Sequence, residues 1–292
     1  ERWTVEDSIA LYGGDSWGDG YFVAGKDGHL AVRPRRREDG EIDLFEVVEG
    51  LRARGIGAPV VLRFSDILAD RLERLYEAFG VAIRENGYGG SYLAAFPVKV
   101  NQQRTVVEEV LRHGGPLGCG LEVGSKPELL AVMALTAGEN GERPIICNGF
   151  KDSAYLEAVV LAAKLGRNII PVIENPDEIE LLIGHADHHG VTPAIGVLVK
   201  LASRGAGRWG ASTGAKSKFG LFASEVLELV EMLRAAGKLD ALQLVHAHAG
   251  SQLQDIRRVK ETVSELAHVY GELVELGAPI RYVDVGGGLG ID

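Results

Sequence analysis

The sequence predicts an α/β chain built as a TIM-type β/α barrel that stops after about its seventh strand, behind a short irregular N-terminal segment. Two observations carry this expectation. From about residue 58 onward, short apolar or β-branched runs alternate with longer segments of helical period, the pattern of parallel strands joined by right-handed crossovers. The unusual polar residues then fall just after many different strands. A barrel assembles its site in that way, whereas an open doubly wound sheet gathers its site at one switch point. Residues 1–57 are read as the irregular or β-containing segment and residues 58–292 as the barrel.

In chain order, the stretch from Tyr12 to Phe22 is rich in turn formers, and Lys26-Asp27-Gly28-His29 between two apolar patches reads as a hairpin turn. Strands are expected at 92–98, 117–123, 144–147, 168–173, 194–199, 242–248 and 281–285. Helices are expected at 105–113, 126–137, 153–165, 176–185, 223–236 and 255–276, many opening on Ser, Asp or Pro suited to a helix N-terminus.

Composition narrows the function classes. The chain is 46% hydrophobic and 25% charged, the balance of a folded globular domain rather than a disordered one. A net charge of −10 argues against a nucleic-acid binder, which needs a basic face. The short basic cluster Arg33, Arg35, Arg36, Arg37 reads as a solvated loop. Cys119 and Cys147 lie in unrelated segments with no C-x-x-C pairing, so neither a zinc site nor a disulfide framework is expected, and a cytoplasmic, reducing location fits. No membrane span or signal peptide is read in the sequence. It begins at Glu1 and stops after a strand-like run, so both ends read as cut.

Three strand ends carry candidate chemistry. Phe96-Pro97-Val98-Lys99 places a lysine after an apolar run, where partial desolvation would make its amine a nucleophile able to form a Schiff base; the bland alternative is a rim lysine. His246 and His248, two apart on one strand face, read as a metal pair lacking a third ligand, as a ring stacked on an aromatic cofactor with Gly250 and Ser251 as phosphate donors, or as core histidines. Gly286-Gly287-Gly288 after a buried strand lets backbone N–H groups converge on an anion, or only makes a tight turn. Together the three describe one ligand, a phosphorylated aromatic aldehyde, which is pyridoxal phosphate. His185, His188 and His189 invite a metal reading, but with no framing acid or cysteine nearby they read as surface histidines.

Several segments resemble the alanine-racemase-like class of pyridoxal-phosphate decarboxylases, and within it the biosynthetic arginine decarboxylases. They are Trp17-Gly18-Asp19-Gly20-Tyr21-Phe22, Lys99-Val100-Asn101-Gln102, Gly120-Leu121-Glu122-Val123-Gly124-Ser125-Lys126-Pro127-Glu128-Leu129, Asn148-Gly149-Phe150-Lys151-Asp152, Ile173-Glu174-Asn175 and Lys216-Ser217-Lys218-Phe219-Gly220-Leu221, followed by the His248 and Gly286 segments. The resemblance extends over essentially the whole chain. It implies that Lys99 carries the cofactor, that His248 stacks on its ring, and that Ser251, Gly286, Gly287 and Gly288 hold its phosphate. Glu122 takes the place of an acid near the catalytic lysine. His246 is left structural, and Lys200, where an arginine is expected, is given no role.

The implied activity is decarboxylation of L-arginine to agmatine and CO2 for polyamine synthesis, in a homo-oligomer based on dimers, with a tetramer as the alternative, with Mg2+ as a further cofactor and no nucleic-acid or membrane partner. Rival readings are a decarboxylase of ornithine, lysine or diaminopimelate, a non-catalytic regulatory homologue, and a pyridoxal-phosphate carrier without decarboxylase activity. In family members an eighth strand, a ring-nitrogen acid and a β-rich domain follow the glycine loop, so residues 1–292 alone are expected to be poorly soluble and inactive.

Overall fold

The computed structural model describes residues 3–25, 27–139, 141–201 and 219–290. The chain forms two compact units, Glu1–Leu93 with Glu108–Leu117, and Ala94–Val107 with Gly118–Asp292.

The first unit is more regular than its composition suggests. It opens with α1 (Val5–Tyr12), capped by Thr4 and Asp7 in a reciprocal capping box, and α2 (Gly14–Trp17). The expected hairpin is present: β1 (Phe22–Ala24) pairs antiparallel with β2 (Leu30–Val32), and β3 (Ile42–Asp43) adds to the other side of β2. Then come α3 (Leu44–Ala53), which Asp43 caps through two backbone N–H groups, and the long α4 (Ser65–Glu85). Arg35, Arg36 and Arg37 are exposed and Arg33 is half-buried, but the cluster is not merely solvated: Arg33 pairs with Glu41 at 2.8 Å, Arg35 with Glu73 at 3.3 Å, and Arg36 with Asp19. Tyr92, expected in the first barrel strand, instead stacks on Phe79 of α4 within this unit, with ring centroids 3.8 Å apart.

From Ala94 onward the chain alternates strand and helix as expected. The order is β4 (Ala95–Pro97), α5 (Arg104–Gly114), β5 (Gly120–Val123), α6 (Lys126–Leu135), β6 (Ile145–Cys147), α7 (Ser153–Lys164), β7 (Ile169–Ile173), α8 (Pro176–His189), β8 (Ile195–Leu198), α9 (Ala223–Ala235), β9 (Leu242–His246), α10 (Ile256–Glu275) and β10 (Tyr282–Asp284). Ser125, Asp152, Asn175 and Asp255 each cap the helix that follows with a side-chain oxygen, and prolines occupy the first turns of α6 and α8.

The seven strands of the second unit form one parallel sheet in strictly sequential order from β4 to β10. A doubly wound sheet reverses its order at a switch point and a barrel does not, so this topology is that of the TIM-type α/β barrel. Two apolar clusters line its faces. The larger joins strand residues such as Ile173, Ile195 and Val245 to helix residues such as Leu156, Leu182 and Leu229. The smaller consists of Ile146, Ile170, Val172, Leu198 and Leu244, all from strands, and marks the interior face.

Register decides which polar groups share that interior. Pro97, Glu122, Ile146 and Ile170 are lateral neighbours, as are Leu198, His246 and Asp284. Neighbours at one level of a parallel sheet point to the same side, so Glu122, His246 and Asp284 face inward with Ile146, Ile170 and Leu198. A β-bulge helps aim His246. Ile195 pairs with Leu242 but Gly196 pairs with Leu244, so Leu242 packs in the outer cluster while Leu244, two residues on, packs in the inner one.

Candidate active site

Lys99 does not sit at the end of an extended strand. β4 stops at Pro97, and Val98–Val100 form a single 3-10 turn that carries the lysine. The expected desolvation is not what holds it, because 57% of its side chain is exposed. It is held instead by charge: Lys99 Nζ donates to Glu122 Oε1 at 2.8 Å, and the Glu122 side chain is 17% exposed. The lysine sits on the turn that follows β4 and the acid on the adjacent β5, 23 residues apart in sequence.

His246 and His248 do not share a strand face, since β9 ends at His246 and the chain leaves the sheet there. His246 is buried, and its Nδ1 lies 3.1 Å from the Asp284 carbonyl oxygen and 3.3 Å from Asp284 Oδ1. Burial disfavours a charged ring, but the Asp284 carboxylate, by charge and by accepting hydrogen bonds, outweighs it and holds the His246 pKa above its ordinary value. The same pairing outweighs the burial of Asp284 and holds its carboxyl below the usual range. Each group of the pair thus favours the charged form of the other. His248 behaves oppositely: desolvation, then the positive charges of His246 and Lys99, push its pKa down and favour the neutral ring. The electrostatic influence of Lys99, Glu122, His246 and Asp284 on His248 places all five groups at one end of the sheet.

Asp284 also accepts the backbone N–H of Gly286 at 2.8 Å, which ties the glycine loop to the histidine pair. That loop runs against the loop after β9: Leu253 N–H donates to the Gly288 carbonyl at 2.8 Å, and Gly290 N–H to the Leu253 carbonyl at 2.9 Å. Gly288 has φ +81°, and a Cβ there would lie 2.0 Å from the Gly250 carbonyl oxygen and 3.1 Å from Ser251 Cα. Only glycine allows this approach. The structure therefore brings the Gly286, Gly287 and Gly288 loop together with Gly250 and Ser251, and Asp284 links that loop to the end of β9.

A buried polar layer under the neighbouring loops was not singled out by the sequence. Lys151 and Glu178 form an ion pair at 3.2 Å with side chains 0% and 2% exposed. Glu178 also accepts the N–H groups of Lys151 and Glu174, at 2.9 and 3.0 Å, while Lys151 Nζ donates to the Gly149 carbonyl at 2.7 Å. Glu174 in turn accepts Gly149 N–H at 2.6 Å, and burial raises the Glu174 pKa despite the nearby Lys151 charge. Gly149 has φ +78° and no room for a Cβ, which would lie 2.3 Å from the Gly124 carbonyl oxygen. These contacts lock the loops after β5, β6 and β7. The available signal was a charged residue one to four positions beyond an apolar strand, at Lys151 and Glu174, and an acid inside the apolar run Val283-Asp284-Val285.

Lys200 holds its ammonium over the Phe222 ring at 3.9 Å. Of the Lys216-Ser217-Lys218-Phe219-Gly220-Leu221 segment, Lys216, Ser217 and Lys218 lie outside the described residues, as does Lys26 of the hairpin turn. Cys119 and Cys147 are free and buried, and burial pushes the Cys147 thiol up to about 12, so it is inert as a nucleophile. No described helix is long and apolar enough to cross a membrane.

What the arrangement offers is a solvent-accessible primary amine beside a carboxylate, a neutral imidazole, and a glycine loop packed backbone to backbone against Gly250 and Ser251. Comparison with known proteins points the same way. Residues 71–292 match the family described as pyridoxal-dependent decarboxylase, pyridoxal binding domain. The biosynthetic arginine decarboxylase of Gloeobacter violaceus is 52% identical over 292 residues, 100% of this chain and 45% of that relative. That of Prochlorococcus marinus strain MIT 9303 is 49% identical with the same coverage. Among solved structures, the biosynthetic arginine decarboxylase of Campylobacter jejuni has a TM-score of 0.86 at 33% identity, over 96% of this chain and 45% of that one. Diaminopimelate decarboxylase from M. jannaschii has a TM-score of 0.72 at 25% identity, over 94% and 58%. The chain spans less than half the length of the curated relatives it matches.

Proposed function

Because the chain belongs to the pyridoxal-dependent decarboxylase family, we propose that the protein is a carboxy-lyase that converts L-arginine to agmatine and CO2, a step toward polyamines, with Lys99 as the anchor of pyridoxal phosphate. The observation that carries the reading is the convergence of Lys99, Glu122, His248 and the Gly286 loop at one end of a parallel barrel sheet. Arginine as substrate is supported by the names of the relatives near 50% identity.

The residues present fit the cofactor. Gly288 lets the loop pack against Gly250 and Ser251, and at Gly287, where a Cβ would meet nothing within 4 Å, the loop borders open space that suits a phosphate beside Ser251. Lys99 presents an amine to a carbonyl, and the neutral His248 ring offers a flat face. Pyridoxal phosphate, when bound, supplies the electron sink for the pair left behind as the carboxylate departs. The protein's part is orientation and proton control. Glu122 fixes Lys99 Nζ and is placed to exchange a proton with it. The His246–Asp284 pair holds Gly286, and with it the phosphate loop, in register with the strand ends. The Lys151–Glu178 pair keeps the adjacent loops from moving.

The protein is further proposed to act in the cytoplasm as a homo-oligomer built on dimers; the two buried free cysteines suit a reducing compartment. Magnesium is assigned no residues: among the described residues, the His, Cys, Asp and Glu cluster able to hold an ion is Glu157, His185 and His189, and Mg2+ prefers an oxygen shell.

CO2 release from arginine, ornithine, lysine and diaminopimelate tests the substrate. Release from arginine well above the other three is expected, and lost in Lys99→Ala. Preference for another of the four, or no release from any, would overturn the assignment.

A further inference from the structure

We infer that His185, His189 and Glu157 form a binding site for a divalent transition cation of the zinc type, clamping α8 to α7 on the outer layer of the barrel. The acid among the histidines in sequence, Asp187, pairs instead with Lys238 at 2.7 Å. The fold supplies another, Glu157, from the preceding helix.

His185 and His189 are four apart and share one face of α8; Ser153 and Glu157 are four apart and share one face of α7. The two pairs meet residue to residue. His185 Nε2 lies 2.9 Å from Ser153 Oγ, and His189 Nε2 lies 3.1 Å from Glu157 Oε1. The His185 and His189 rings are near parallel, 16° between planes, with centroids 6.4 Å apart. One ligand atom from each of His185, His189 and Glu157 falls within 4.8 Å of the other two. A tetrahedral zinc with bonds of about 2.0–2.1 Å needs its ligand atoms about 3.4 Å apart. The Glu157 side chain is 45% exposed, so its carboxylate has room to turn toward the two rings.

The ligand set selects the class of ion. Two imidazoles and one carboxylate suit zinc and its first-row neighbours, while Ca2+ and Mg2+ take oxygen shells. The site is semi-enclosed: the His189 side chain is 15% exposed, and Lys164 of α7 donates to the His189 carbonyl at 3.0 Å, fixing the end of α8 against α7. The open side leaves room for water as a further ligand, and Ser153 Oγ adds an oxygen beside it. These side chains belong to the helical layer, whereas Glu122, His246 and Asp284 face the interior of the sheet. The cation therefore acts on stability rather than on the reacting groups, by binding the folded state alone.

The test is titration of the chelator-treated protein with Zn2+ by calorimetry, with Tm measured in parallel and Co2+ absorption as a second probe. One equivalent of Zn2+ is expected to bind and raise Tm. His185→Ala and His189→Ala are each expected to weaken that binding by about tenfold or more, and Glu157→Gln to weaken it and change the visible Co2+ spectrum. His188→Ala, whose ring packs edge-on against His189 with centroids 4.7 Å apart, should bind as wild type. Tm values in chelator matching wild type show that each variant is folded. Zn2+ binding unchanged in the His185→Ala, His189→Ala double variant, or the absence of any saturable equivalent in wild type, would overturn the site.

Discussion

At the scale of single residues, the site depends on charges whose states the surrounding structure fixes. The His246–Asp284 pair makes stability depend on pH in a defined window. His246 is raised above 6.5, so its contribution is complete below 6.5 and is lost as pH rises through its folded value. Asp284 is lowered below 3.8, so its contribution is present above 3.8 and is lost as pH falls through its folded value. The pair stabilises most between 3.8 and 6.5. Asp284→Asn is predicted to cost about 2 kcal/mol at about pH 5 and distinctly less at alkaline pH, as measured by urea unfolding. A loss that does not vary with pH would mean that the pair is not charged. Gly288→Ala is a second residue-scale prediction. Its Cβ would meet the Gly250 carbonyl oxygen at 2.0 Å, so the loop must shift, and pyridoxal phosphate should bind about tenfold more weakly or worse, a loss of about 1.4 kcal/mol. Equilibrium dialysis reads this directly; wild-type affinity would remove Gly288 from the cradle.

At the scale of elements, the buried layer under the strand ends is where stability and site geometry meet. Removing one member of a buried ion pair leaves the other uncompensated. Glu178→Leu is predicted to cost about 3–5 kcal/mol in chemical denaturation. Adding Lys151→Met should recover only part of that loss, because the N–H groups of Lys151 and Glu174 would still lack the acceptor that Glu178 provides. Full recovery would show that those backbone bonds matter little. Much at this scale was legible in advance. The strands of the sheet are apolar runs and the helices open on Ser125, Asp152, Asn175 and Asp255, so each unit carries its own local signal. Some of the N-terminal unit was not expected, although α4 carries its signal openly, with Leu68, Leu72, Leu75 and Phe79 at helical spacing. The apolar run Pro59-Val60-Val61-Leu62 that precedes it forms no strand, so α4 has no partner strand in the alternation.

At the scale of the molecule, the sequential order of seven parallel strands does what no single motif can, gathering residues from the first and last of them into one place. Lys99, His248, Ser251 and the glycine loop could be named from the sequence because reactive residue types stand out after apolar runs, and Glu122 was named by the family resemblance. Their partners could not. That His246 points inward follows from a bulge against β8, and that Asp284 meets it follows from the β9–β10 register, neither of which local composition encodes. Likewise Glu157 reaches the histidines of α8 only because α7 packs beside them. The claim on which the account turns is that Lys99 is the residue to which pyridoxal phosphate attaches. Borohydride reduction of the cofactor-loaded protein, followed by peptide mapping by mass spectrometry, tests it most directly. The pyridoxyl mass is predicted on Lys99 and absent from Lys99→Ala; stoichiometric label on Lys151, Lys200 or any other lysine would contradict it.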